Sequence, residues 1–467
     1  MISMARRQYW IFTAMVCFGL VYAAFVYDTQ REPTATQQLR KADICLSIEE
    51  LKARFSSEPK EENGAFLYLQ AMDALRSLGD ARENDLPIAG LMKYEYGQPL
   101  TGAQRDALHA YVTLNEAAIT LVLEAQMRPF SRFPESRYDT IEMKHLAQAR
   151  SLARLLSCAA LDASLSGDFG KMDRMIVAGL RLPEVLSEGG LLIDALVAKA
   201  LRSIAISTAE DCLHYVVPPR ETIRAWLDVL GQEQYTTLHM QKDAFRNEVS
   251  FYNKYFTFEY PALFGMEFHG RLQVLGMRMA SEWTQYNYFV QNQHIQIMKT
   301  IINLADKDPY IAATKAEREI QEASALWGPR YVLNAILLPA LARVYSSYVR
   351  GLAEATTART ALASLLYRED YGRMPESLDV LTPEYLPVPP RDPFTPDGIL
   401  GYKVTDTQAI FYSVGLDQDD DGGTAPEKSI LQDGDILFRV PVMQTLRPES
   451  SVTETSSDHQ ANTNTAT

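Results

Sequence analysis

The chain has 467 residues, a formal net charge of -14, an isoelectric point near 5.1, and 47 % hydrophobic against 22 % charged residues. That length accommodates roughly two or three domains with a sizeable core, and the composition is that of a folded protein. Nucleic-acid binding normally shows a basic stripe, so this acidic balance leads us to expect no nucleic-acid partner.

Arg6 and Arg7 precede an uncharged apolar run from Tyr9 to Val26, and the next charge is Asp28. Such a run is about the minimum length that crosses a bilayer as a helix. Basic residues before it, with no Lys or Arg immediately after it, predict a cytoplasmic N-terminus and an extracytoplasmic remainder. No small-residue cleavage site follows, so the segment reads as an uncleaved anchor. Residues 1–28 are therefore expected to be a cytoplasmic stub and transmembrane helix, and 29–46 a polar stalk. The expected location is a bacterial inner membrane, crossed once through residues 9–26, with the bulk of the chain periplasmic.

Residues 47–343 read as one helical domain. Leu152, Leu155, Leu156 and Ala159 recur at helical spacing, and Gly167-Asp168 then supplies a stop followed by a new N-cap. Met172, Met175, Ile176, Gly179 and Leu180 continue the period, and Ile193, Leu196, Val197, Ala200, Leu201 and Ile204 form a third stripe after Gly189-Gly190. Amphipathic helices joined by short turns bury their stripes against one another, which predicts a helical bundle or array. Aromatic residues are dense between Phe251 and Phe289, and they read as packing between helices or, alternatively, as a groove for a ligand. The run Tyr331 to Val344 is too short for a second span and holds Asn334, so it reads as a core helix continuing past Pro339 to about Asp370. Cys45, Cys158 and Cys212 are dispersed and read as isolated buried thiols.

The segment from 344 to 440 is expected to form a small α+β module, followed by a Ser/Thr-rich disordered tail over 441–467. Short strands are expected around GYKV, IFYSV and ILFRV. Between the last two lies DQDDDGGTAPEK, which puts Asp417, Asp419 and Asp421 at positions 1, 3 and 5 of a calcium-type loop, with Gly422 next. Alternating carboxylates converge on a hard cation, and without one their like charges repel. Lys428 stands where an EF-hand has its bidentate Glu, and the flanks are strands, so Asp433 and Asp435 are the candidate closing ligands. Calcium (Ca2+) is the expected cofactor.

Motifs in this stretch occur in a specific order: the helix end ALASLLYREDYGRMP, a Leu-rich loop with Leu378, Leu381 and Leu386, the turn Asp392-Pro393-Phe394, then Ser413, Gly415, Asp417, Gly422-Gly423, Asp433 and Asp435-Ile436. In that order they resemble the calcium-binding head of the major, G-type pseudopilins of type II secretion systems. The resemblance covers about a fifth of the chain and implies an α+β head stabilised by calcium at this terminal loop. Met374 replaces the usual aromatic, and the anchor carries no acidic residue and lies about three hundred residues before the head. Assembly into a pilus is therefore not expected. An anchored chain with a helical middle and this ending is similar to planctomycete-type bacterial envelope proteins.

Catalytic motifs are absent from the sequence: no G-x-S-x-G, H-E-x-x-H, Walker loop, G-x-G-x-x-G or C-x-x-C occurs, and no histidine has another three or four residues away. The chain is therefore expected not to be an enzyme. The resulting expectation is a mainly α protein with a transmembrane helix, a large helical bundle and a small pseudopilin-like module, acting as a structural or interaction protein. Envelope or secretion-system proteins are the expected partners. The alternative is an envelope enzyme or ligand-binding protein that uses a pocket in the aromatic-rich helical region.

Overall fold

The computed structural model describes residues 44–45, 47–55, 59–79, 85–87, 97, 99–133, 144–186, 190–256, 318, 332–396, 398–424 and 434–442. The apolar run 9–26, most of the stalk, the aromatics after Phe256, Asp433 and the tail after Val442 lie outside them. Among the described residues no helix is long and apolar enough to cross a membrane.

Among the described residues the protein is mainly helical with one small sheet. Its helices are α1 (Ile48–Phe55), α2 (Ala65–Ala74), α3 (Gly102–Leu114), α4 (Glu116–Gln126), α5 (Lys144–Ser166), α6 (Phe169–Arg181), α7 (Leu192–Tyr215), α8 (Arg220–Phe256) and α9 (Val332–Tyr371). Strands β1 (Gly401–Val404), β2 (Gln408–Ser413) and β3 (Ile436–Pro441) form an antiparallel sheet in sequence order. Ser413 pairs with Ile436 and Gln408 with Pro441.

Local sequence explains several boundaries. Gly167 takes φ +73, a left-handed value that suits glycine, and ends α5. Asp168 then caps α6 by accepting the Lys171 N–H at 2.9 Å. Thr101 and Gln104 form a capping box at the start of α3. Asn115, 1 % exposed, joins α3 to α4, and its side-chain amide both accepts from and donates to the Arg76 backbone, at 2.7 and 3.0 Å.

Leu152, Leu155, Leu156 and Ala159 on α5 and Met172, Met175, Ile176 and Leu180 on α6 are all buried, as their spacing predicts. The stripe predicted for α7 needs correction. Ile193 is 37 % exposed, while Leu192, Ala198, Ala205 and Ala209 join Val197 and Leu201 in the interior. Helix α7 is contacted by α5, α6, α8, α9 and β3. A helix enclosed on several sides has no single apolar stripe, so its sequence period is weak.

One buried cluster runs without interruption from Ala65 and Leu152 through Leu362 and Leu366 to Phe411, Phe438 and Val440. Helix α9 is the shared wall, touching α7 and α8 as well as β2 and β3. Polar ties reinforce the same seams. Glu354 on α9 accepts from Lys199 and Ser203 of α7 at 3.0 and 2.5 Å, and Trp226 of α8 donates to Asp173 of α6 at 2.9 Å. At the start of α7, Asp194 accepts the Leu191 N–H at 2.7 Å and Glu248 of α8 accepts the Leu192 N–H at 2.8 Å. Cys45, Cys158 and Cys212 are buried and form no disulfide among the described residues. Burial pushes the Cys158 thiol up to about 12, consistent with an inert core residue.

Candidate metal centre

The end of α9 sets the geometry. Gly372, with φ +72, caps the helix through its N–H to the Arg368 carbonyl at 2.8 Å. The chain then wraps back to Asp392, which is 2 % exposed. Its carboxylate accepts from the Phe394 N–H at 2.9 Å, the Ser413 hydroxyl at 2.8 Å and the Val414 N–H at 3.0 Å. The Asp-Pro-Phe turn thus fastens to the end of β2, where the acidic loop begins.

Because Ser413 pairs with Ile436, the two ends of that loop lie side by side. Gly415 has φ +76, and a Cβ there would come within 2.8 Å of the Gly434 carbonyl oxygen, so the close approach requires glycine. Asp417 accepts the Gly434 N–H at 2.9 Å, which ties the first acidic residue to the returning strand. Asp435 accepts the Gly423 N–H at 2.6 Å and the Thr424 N–H at 3.4 Å through Oδ2. Asp420 accepts the Gly422 N–H at 2.9 Å, and Lys403 of β1 donates to the Gly422 carbonyl. Gln418 takes φ 60, a left-handed backbone uncommon outside glycine.

The side chain of Asp435 is the unusual one. The residue is 2 % exposed, and its Oδ1 is buried with no hydrogen-bond partner. Burial pushes its carboxyl above the usual range, and the Asp420 charge pushes it further. The Gly423, Thr424 and Asp421 N–H groups oppose both. An acceptor oxygen left in this condition is costly unless something satisfies it.

The structure therefore ties Asp417 and Asp435 to the base of one hairpin; Asp417, Asp419 and Asp421 are all exposed, and Asp435 is buried. Among the described residues no three acidic, His or Cys side chains gather at metal-ligating distance. Asp420 is the residue that alternate-position counting passes over, although its charge acts on Asp435. Only its place in the unbroken run Asp419-Asp420-Asp421 could have signalled it. In kind, the donors are carboxylate and carbonyl oxygens, which suit a hard cation, and the orphan Oδ1 of Asp435 suits the same ligand. Comparison with protein families, curated proteins and solved structures finds no match for the chain.

Proposed function

We propose that the chain is a membrane-anchored, extracytoplasmic structural or interaction protein whose C-terminal pseudopilin-like module is stabilised by calcium. In this reading Asp435 and Asp417 hold the ion, helped by Asp419, Asp421 and Asp433 from the rest of the loop. Bound calcium would cancel the repulsion among these carboxylates. What carries the calcium assignment is the buried Oδ1 of Asp435, which has no hydrogen-bond partner among the described residues, while Asp435 Oδ2 and Asp417 accept the Gly423 and Gly434 N–H groups. The anchor rests on the run Tyr9–Val26, and the structural or interaction role, with envelope or secretion-system partners, rests on the module's motif order together with the missing catalytic motifs.

Because the sheet shares its core with the helices, the test uses the full chain in mild detergent, with melting followed in calcium and in EGTA. A ligand at a hundred times its Kd stabilises by about 2.7 kcal/mol, so chelation should lower the Tm measurably. Asp435→Asn keeps the shape and an acceptor for the Gly423 N–H but removes the charge, and it should abolish the difference. Identical wild-type curves in calcium and EGTA would sink the calcium assignment.

A further inference from the structure

The packing that fastens α1 is separate from the rest of the interior. Cys45, Ile48 and Leu51 form a buried cluster of their own with Leu191, apart from the continuous core that joins the other helices to the sheet. Helix α8 touches α1, and three buried residues of α8 tie the parts together. Ser250 donates its hydroxyl to the Cys45 carbonyl at 2.6 Å, Asn247 donates to the Gly190 carbonyl at 3.0 Å, and Glu248 accepts the Leu192 N–H at 2.8 Å. Leu191 is the link. Its side chain belongs to the small cluster, its N–H is held by Asp194 at 2.7 Å, and the residue after it is held by Glu248.

Two buried carboxylates therefore meet at one helix start. His145 of α5 faces the same place: its Nε2 lies 3.5 Å from Asp194 Oδ1 and makes no hydrogen bond among the described residues. The charged groups of the neighbouring elements are placed otherwise. Glu354 of α9 pairs with Arg350 and with Lys199 of α7, Arg202 of α7 acts on Glu184, and Asp173 of α6 accepts from Trp226. On α8 itself Asp243 pairs with Arg246. On α1, Glu49, Glu50 and Arg54 are exposed and Lys52 is half-buried. Among the described residues no cation pairs with Glu248, so its ionisation sets two like charges against each other in a buried turn.

We propose that this joint is a proton-controlled latch: with a proton on Glu248 it holds the Cys45 end of α1 against α8, and loss of that proton releases it while the main core stays folded. Release returns Glu248 to water, where its ordinary value of 4.5 applies. In the closed joint burial raises the carboxyl to about 7, the Leu192 N–H opposes the rise and the Asp194 charge adds to it. The latch is thus fully held below about 4.5 and loses its hold as pH rises through about 7. Between those values its opening equilibrium grows by about tenfold for each pH unit.

Cys45 reports the opening, because it is 5 % exposed and belongs to the small cluster, whereas Cys158 and Cys212 lie in the main core. The test labels the full chain in mild detergent with a dipyridyl disulfide, a reagent that attacks thiols even in mild acid, and reads each cysteine separately by peptide mass spectrometry. Wild-type is compared with Glu248→Gln at each pH, so the ionisation of the thiol itself cancels in the ratio of rates. That ratio for Cys45 is expected to rise about tenfold or more between pH 5 and pH 7, with Cys158 and Cys212 labelling far more slowly. Asp194→Asn keeps an acceptor for the Leu191 N–H but removes the neighbouring charge, and in place of wild-type it should give a smaller rise. The proposal is overturned if the ratio for Cys45 does not change with pH. It is equally overturned if Cys45 labels only as slowly as Cys158 and Cys212, because the joint would then open only with the whole fold.

Discussion

Glu248→Gln should stabilise the protein above neutral pH and leave it unchanged in acid. Glu248 is 8 % exposed, sits in α8 and accepts the Leu192 N–H at 2.8 Å. Burial raises its carboxyl from 4.5 to about 7, the Leu192 N–H lowers it, and the nearby Asp194 charge raises it again. The folded state therefore holds this proton more tightly than the unfolded chain does. The stabilisation is complete below the unfolded value near 4.5 and is lost as pH rises through about 7. At about 1.4 kcal/mol for each pH unit, the wild-type loses about 3 kcal/mol across that interval. Glutamine keeps an acceptor for the Leu192 N–H but cannot ionise. The variant should lack that loss, standing up to about 3 kcal/mol above wild-type at pH 8 and level with it near pH 4. Urea denaturation of the full chain followed by circular dichroism between pH 4 and 8.5 measures the difference. Parallel pH profiles for the two proteins would rule out Glu248 as the source of the pH dependence.

Three further substitutions probe the seams of the fold. Arg439 of β3 donates its backbone N–H and Nε to Glu210 of α7 at 3.0 and 2.6 Å, so Arg439→Met strands a carboxylate that is 7 % exposed. That should cost about 3–5 kcal/mol in denaturation experiments, and adding Glu210→Gln should restore most of it. Phe411 is fully buried between the sheet and α9, so Phe411→Ala should cost about 3–5 kcal/mol. Because the core is shared, α-helical and near-ultraviolet signals should melt together in that variant rather than the sheet alone unfolding. Asp168→Ala removes the α6 cap and should cost about 1 kcal/mol by the same assay.

Much of the helical architecture was legible because it is written in neighbouring residues. Gly167-Asp168 marks a stop and a start, since glycine accepts a left-handed backbone and aspartate accepts an N–H three residues on. The α5 and α6 stripes are plain because each helix turns one face inward. Strands at GYKV, QAIFYS and ILFRVP follow from short apolar runs between glycine-rich turns. In the acidic loop, the count of alternate positions picks out Asp417, Asp419 and Asp421, all of them exposed. Asp435, not Asp419 or Asp421, is the buried carboxylate, and Asp420 is the neighbour whose charge it feels. Spacing along the chain does not reveal which carboxylates a hairpin turns inward.

Helix boundaries, the strand segments, the acidic loop and the apolar run Tyr9–Val26 were determined by sequence alone, because propensity, capping and periodicity act over a few residues. The tertiary structure decided which face of α7 is buried, how Glu210 meets Arg439 across more than two hundred residues, and that the sheet and the helices share one core. It also made the cavity whose walls come from α9 and a proline-rich segment. These features depend on which distant surfaces exclude water from one another, and that choice is made only when the elements pack.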